Sequence, residues 1–438
     1  MAIDLSDIVF SYADADFQAR FDSLMSEHSM SAFLREKAGI AAGVRDIVAA
    51  VARRGDAAVA EFTAKFDGVE MTPQQFRVPE EELEKAYDEL SPELLDNLRG
   101  AIGNVGEYQK AIFIGNRSED SGRVGIRYRP LKRVGLCIPG ASAPLPSTVI
   151  MTAVPAIVAG VEDIVVISPP RFNNSINPVI LGLCHELGIT EVYRIGGAQA
   201  VAALGWGTET IKPVDKIVGP GNDYVQLAKK EVFGLCDMDS FAGPSDVLIV
   251  ADDSANAAWT AADMLSQAEH YPGAAILVTP SSGLAAKVQS ELERQVGQLD
   301  RSKETLECLR TYSAVVVMKD MDAAVGFANH FAAEHLEVQC GVNSRAVAER
   351  IDNAGAIFIG DYSPVAVGDY WAGPSHTLPT RQSSRYFSAV TSNDFVKSSS
   401  IIEYSKEQLL ADADRIAMLA MTEGLDAHAK SIKIRQQQ

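Results

Sequence analysis

Two textures of apolar spacing divide the chain. Up to about Gly115, apolar residues recur three and four apart, as in VRDIVAAVARRGDAAVAEFTAKFDG from Val44 to Gly68, the spacing that lays one stripe along a helix. Beyond about Arg127, short continuous apolar runs take over, each closed by Gly, Pro or acidic residues: RVGLCIPG, EDIVVISPP, EVYRIGG, KIVGPG, SDVLIVADD, AAILVTP, SAVVVMKD and AIFIG. Runs of this length suit strands, and stretches of helical period such as INPVILGLCHELG and DYVQLAKKEVFG fall between them. Strand and helix in alternation predict parallel sheets covered by helices on both faces, a doubly wound α/β fold. The last segment, Ser405 to Arg435, reads as a long amphipathic helical pattern broken near Gly424, and its apolar face requires a partner.

Length and charge narrow the possible functions. At 438 residues the chain exceeds one typical domain, so two or more cores are expected. A hydrophobic share of 47% with 22% charged residues is an ordinary globular balance and excludes global disorder. The net charge of -19 repels phosphate backbones and anionic lipid, which sets aside nucleic acid and membrane surfaces as partners. The longest apolar run, Ser147 to Val161, is shorter than the ~20 residues a membrane span needs and contains Pro155; it reads as a buried helix. The opening MAIDLSDIVF lacks the basic region of a secretion signal, so a cytoplasmic location is expected. Cys137, Cys184, Cys236, Cys308 and Cys340 never form a C-x-x-C pair, which suits a reducing compartment and gives no thiolate metal site.

The candidate chemistry sits at the edges of these elements. GLCIPGASAP, RIGGAQA and IVGPGNDYV each follow a strand and lead into a helix, where backbone N–H groups can receive a pyrophosphate; none spells G-x-G-x-x-G, but three in succession suggest a nucleotide crevice. Gln267 and His270 are three apart in DMLSQAEHYPG and share a helix face, as a metal pair would, although a helix-terminal histidine answering free carbonyls has the same spacing. AAEHLEVQ sets Glu334 beside His335, a carboxylate and an imidazole that can divide base duties, or else an exposed strand entrance. Ser363 to Thr380 reads as a Gly- and Pro-rich loop carrying Asp369, Tyr370, Trp371 and His376. TEGLDAHAK places Glu423 and His428 in the tail.

Taken in order, VGPGNDYVQLAKKEV, AGPSDVLIVAD, DMLSQAEH, EHLE, AGAIFIGDYSP, GDYWAGPSHTLPT and EGLDAH resemble the histidinol dehydrogenase family over roughly residues 30 to 435. The resemblance implies a zinc- and NAD-dependent enzyme that takes histidinol through the aldehyde to histidine. It implies zinc on Gln267, His270, Asp369 and His428, with His335 taking the alcohol proton and Glu334 activating water. Ser245, His376 and Glu423 fall at substrate positions, and Cys137, Gln199 and Asn222 at dinucleotide positions. It also implies two Rossmann-like domains, one from 31–135 with 245–390 and one from 136–244, after an N-terminal segment 1–30 and before a helical tail 391–438 exchanged in a homodimer, so that Glu423 and His428 serve the neighbour's site.

Four positions depart from the family pattern. Many members carry glutamate where Val365 stands; without that carboxylate, Glu423 is left as the main acidic partner for a substrate ammonium. Ala333 replaces a proline, which loosens a loop without changing chemistry. Cys137 and Ala141 replace a tyrosine and a glycine near the nucleotide, changes that alter dinucleotide packing. Val365 keeps open a second substrate, another small polar alcohol such as a sulfonated propanediol. A zinc hydrolase also stays open, since zinc, Glu334 and water suffice for hydrolysis, although it has no use for the glycine-bearing turns.

Overall fold

The computed structural model describes residues 3–115, 118–120, 123–140 and 144–437; Ala141 lies outside them. Among the described residues the strands are β1 (Val9–Ser11), β2 (Ser118–Asp120), β3 (Val124–Pro130), β4 (Arg133–Cys137), β5 (Asp163–Ile167), β6 (Glu191–Tyr193), β7 (Lys216–Val218), β8 (Asp237–Met238), β9 (Ser245–Ala251), β10 (Gly273–Thr279), β11 (Ala314–Val317), β12 (His335–Gln339), β13 (Ala356–Ile359) and β14 (Val396–Ile402). The chain folds into two compact units, residues 1–113 with 131–395, and residues 114–130 with 396–438.

The first unit holds two parallel sheets. One has the order β1-β11-β10-β9-β12-β13 and the other β6-β5-β4-β7-β8. Leaving β1 aside, each begins at a central strand, winds outward one way, then crosses back and winds the other, the doubly wound pattern. The apolar runs are continuous because both faces of the first sheet are covered. Val247, Ile249, Ala275 and Leu277 face one buried cluster; Leu248, Val250, Ile276 and Val278 face the other.

Two placements differ from the expected division of the chain. The N-terminal segment contributes β1, which pairs with β11 at the edge of the first sheet. The helices Ala38–Arg54 and Asp56–Asp67 carry Val44, Ile47, Val51 and Val59 into the core of the second sheet, with Val165 and Ile217. The apolar run read as a helix is one, Pro146–Ala159, with Pro146 at its start, Pro155 inside it and Gly160 left-handed at its end. No helix among the described residues is long and apolar enough to cross a membrane.

The second unit is the antiparallel sheet β14-β3-β2 with helices Lys406–Thr422 and Asp426–Lys433. Ser405 and Gln408 cap the first of these helices reciprocally, and Gly424, left-handed at φ 75°, supplies the break. Met418, Leu419 and Met421 are exposed on it.

Candidate active site

The tandem Glu334 and His335 are buried at the amino end of β12, beside Ser245 and Asp246 at the amino end of the adjacent β9. Glu334 and Asp246 bond reciprocally: Asp246 N–H donates to Glu334 Oε2 at 3.0 Å, and Glu334 N–H to Asp246 Oδ1 at 2.8 Å. His335 Nδ1 lies 2.9 Å from the Asp246 carbonyl oxygen, so the ring donates there and turns Nε2 toward Asp369, whose Oδ1 is 3.7 Å away. Glu334 Oε2 stands 3.6 Å from the same ring. Burial pushes the Glu334 carboxyl up to about 8, against the opposing pull of His335. Burial alone would lower His335, but Glu334 and Asp369 outweigh it and raise the imidazole to about 9. The pair is buried, not at the exposed strand entrance that the sequence also allows.

Asp369 stands on a short helix, Val365–Tyr370, where a loop was expected. Gly368 lets that helix close on Phe358, because a Cβ there would sit 2.6 Å from the ring. Burial works to raise Asp369, yet the nearby His335, with the charges of His376 and His270, holds it below the ordinary carboxylate range. His376 places Nε2 3.1 Å from Ser147 Oγ, and burial lowers its imidazole. A cavity of about 510 Å³ is lined by His335, Asp369, Ser375 and His376.

Gln267 closes the Ala257–Ala268 helix and is buried; His270 follows the helix end and is exposed, its Nδ1 3.3 Å from the Gln267 carbonyl oxygen. Among the described residues no three His, Cys, Asp or Glu gather into a metal shell. Nevertheless the Gln267 carboxamide is buried with its nitrogen unpartnered among the described residues, and His270 lies near enough to Asp369 for its charge to act on that carboxyl. A carboxamide, an imidazole and a carboxylate suit a divalent cation, so the residues of this chain fit part of a zinc shell. Glu423 and His428 lie apart from them in sequence and unit, both exposed in the second unit.

The glycine-bearing turns meet at the carboxyl ends of the second sheet, where open α/β folds bind nucleotides. A cavity of about 420 Å³ there is lined by Cys137, Gly140, Gly196, Gln199, Gly221 and Asn222. Gly219, at φ 114°, passes so close to Cys137 that a Cβ would lie 2.5 Å from its carbonyl oxygen. The buried Lys229–Asp239 ion pair holds this turn, Lys229 donating to the Gly219 carbonyl at 3.0 Å and Asp239 accepting its N–H at 2.7 Å. Asn222 caps the following helix through Val225 N–H. It also borders a neighbouring cavity of about 970 Å³ that extends to Ser245 and Asp246, so the two cavities share Asn222.

Asp246, Asp263 and Glu337 form hydrogen bonds close to the candidate residues, and the sequence pattern did not single them out. A signal existed for Glu337: HLEVQ alternates polar and apolar, while the stretches VLIVA of β9 and AIFI of β13 that flank it are wholly apolar, which marks one polar face inside a core.

The family model described as histidinol dehydrogenase matches residues 33–436. A histidinol dehydrogenase of Synechococcus sp. is 48% identical over 400 residues, covering 90% of this chain and 92% of its own. One of Moorella thermoacetica is 47% identical over 408 residues, covering 92% and 96%. The crystal structure of histidinol dehydrogenase from Elizabethkingia anophelis superimposes with a TM-score of 0.88 at 31% identity, covering 98% of both chains.

Proposed function

This chain belongs to the histidinol dehydrogenase family of oxidoreductases, and we propose that it oxidises L-histidinol through the aldehyde to L-histidine with zinc and NAD. The observation that carries this reading is the pairing of Glu334 with Asp246, which sets His335 between two carboxylates beside the Asp369 cavity. In the first oxidation His335 accepts the alcohol proton while hydride passes to NAD. Glu334 then takes a proton from the water that adds to the aldehyde, and His335 serves again as the hydrate gives up a second hydride. Gln267, His270 and Asp369, with His428 of a second copy, would hold zinc, which when bound orients the substrate and favours its alkoxide. Ser245, His376 and Glu423 are read as substrate contacts, and Cys137, Gln199 and Asn222 as the cofactor wall. We read the tail from 391 as exchanged in a cytoplasmic homodimer, which would cover the exposed Met418 and Leu419.

Purified protein given zinc, NAD and L-histidinol should yield about two equivalents of NADH per substrate. No NADH from L-histidinol overturns this assignment. One observation favours a second substrate: Val365 is buried in the core at 3% exposure, so its position supplies no carboxylate for a substrate ammonium. A sulfonated propanediol in the same assay tests it. A hydrolase is disfavoured by the glycine-bearing turns that line the cofactor cavity.

A further inference from the structure

We propose that Glu337 is a positioning residue of this site: bonded to Val365, Gln339 and Asp263, it holds the three elements that carry Gln267, His335 and Asp369 in register. The inference rests on the reading of those three residues above and deepens it.

Glu337 lies on β12, 1% exposed. Its Oε1 accepts the Val365 N–H at 2.9 Å, and its Oε2 accepts from Gln339 Nε2 at 2.8 Å. The same Gln339 amide donates to Asp263 Oδ2 at 2.8 Å, while Gln339 Oε1 accepts the Thr260 hydroxyl at 2.6 Å. The Glu337 and Asp263 carboxyls also bond each other. Burial first, then the charge of Asp263, raises Glu337 well above the usual carboxylate range, so the pair keeps a proton between them.

Three members of this network, one on each element, stand one structural repeat from a candidate site residue. Asp263 precedes Gln267 by four on the Ala257–Ala268 helix, Val365 precedes Asp369 by four on its own helix, and Glu337 follows His335 by two on β12. Helix residues four apart, and strand residues two apart, share a face. The network is therefore the layer next to the site on all three elements at once. A helix as short as Val365–Tyr370 has little stability of its own, and its first N–H groups have no partner within it. A fixed buried acceptor at Val365 sets where that helix starts, and hence where Asp369, one turn later, meets His335.

The test compares full-length wild type, E337M, E337Q and V365P, reading Zn²⁺ affinity by chelator competition together with kcat and KM. Loss of such supporting contacts costs about 10–100-fold in metal affinity or activity. E337M and V365P should show that loss in both zinc affinity and kcat for L-histidinol, with KM for NAD unchanged. E337Q, whose carbonyl still accepts from Val365 and whose amide donates to Asp263 but no longer accepts from Gln339, should restore most of both. V365P removes the same hydrogen bond from the other side, and proline is tolerated at a first helical position after the extended Pro364. It decides the matter if E337M fails to fold. Wild-type zinc affinity in V365P, or an E337Q as impaired as E337M, overturns the proposal while leaving the zinc reading intact. A wild type that neither binds zinc nor oxidises histidinol overturns both.

Discussion

Asp369 Oδ1 stands 3.7 Å from His335 Nε2, the ring nitrogen that has no hydrogen-bond partner among the described residues. Against burial, Glu334 and Asp369 raise the imidazole to about 9, while burial raises the Glu334 carboxyl to about 8, so the interacting pair gives up its protons over one range. Both groups must lose a proton to act as bases. The rate of alcohol oxidation should therefore climb as the pH rises from 7 toward 9, and H335N should lose about 10²–10⁴-fold in kcat. A pH–rate profile that is flat over this window would contradict the assigned bases.

Glu423 and His428 are exposed in the second unit, whereas Asp369 belongs to the first. If the tail of each copy completes its neighbour's site, D369A and H428A should each be inactive alone. Mixed and reassociated one to one, they should recover about a quarter of wild-type activity, because half the dimers are mixed and each has one intact site. No recovery in subunits shown to exchange argues for sites built within one chain.

Gly219 combines a left-handed backbone with contact against the Cys137 carbonyl. G219A should cost about 1–3 kcal/mol of stability from backbone strain, read by denaturant titration. It should also weaken NAD binding in calorimetry while Zn²⁺ affinity is unchanged. Normal NAD affinity in G219A would remove the turn from the cofactor site.

His28 packs its ring 5.4 Å from Phe331 and lines the cavity of about 970 Å³. Burial, aided by the charge of Arg381 and opposed by a backbone hydrogen bond at Tyr312, pulls its imidazole from 6.5 to about 4. The unfolded chain thus takes up this proton near pH 6.5 and the folded chain only near pH 4. Stability tied to the neutral ring is complete above pH 6.5 and is lost as the pH falls from 6.5 toward 4. Thermal midpoints between pH 7.5 and 4.5 should fall more steeply for wild type than for H28F; parallel curves would show that His28 does not contribute.

What the sequence determined by itself was local. Continuous apolar runs marked strands buried on both faces, since a residue's own neighbours record whether water touches one face of a strand or neither. The three-residue spacing of Gln267 and His270 and the break at Gly424 were legible for the same reason, as helix geometry relates residues a few positions apart.

Tertiary structure alone decided the rest. Asp246 meets Glu334 across 88 residues because β9 and β12 lie side by side, a register that no stretch of either strand encodes. Glu334, His335 and Asp246 gather at the amino ends of the first sheet, while the cavity lined by the glycine-bearing turns opens at the carboxyl ends of the second, a division invisible in the alternation of strand and helix. The raised carboxyls of Glu334 and Glu337 likewise exist only after folding, because proton affinity depends on lost water and on charges that sequence distance does not order.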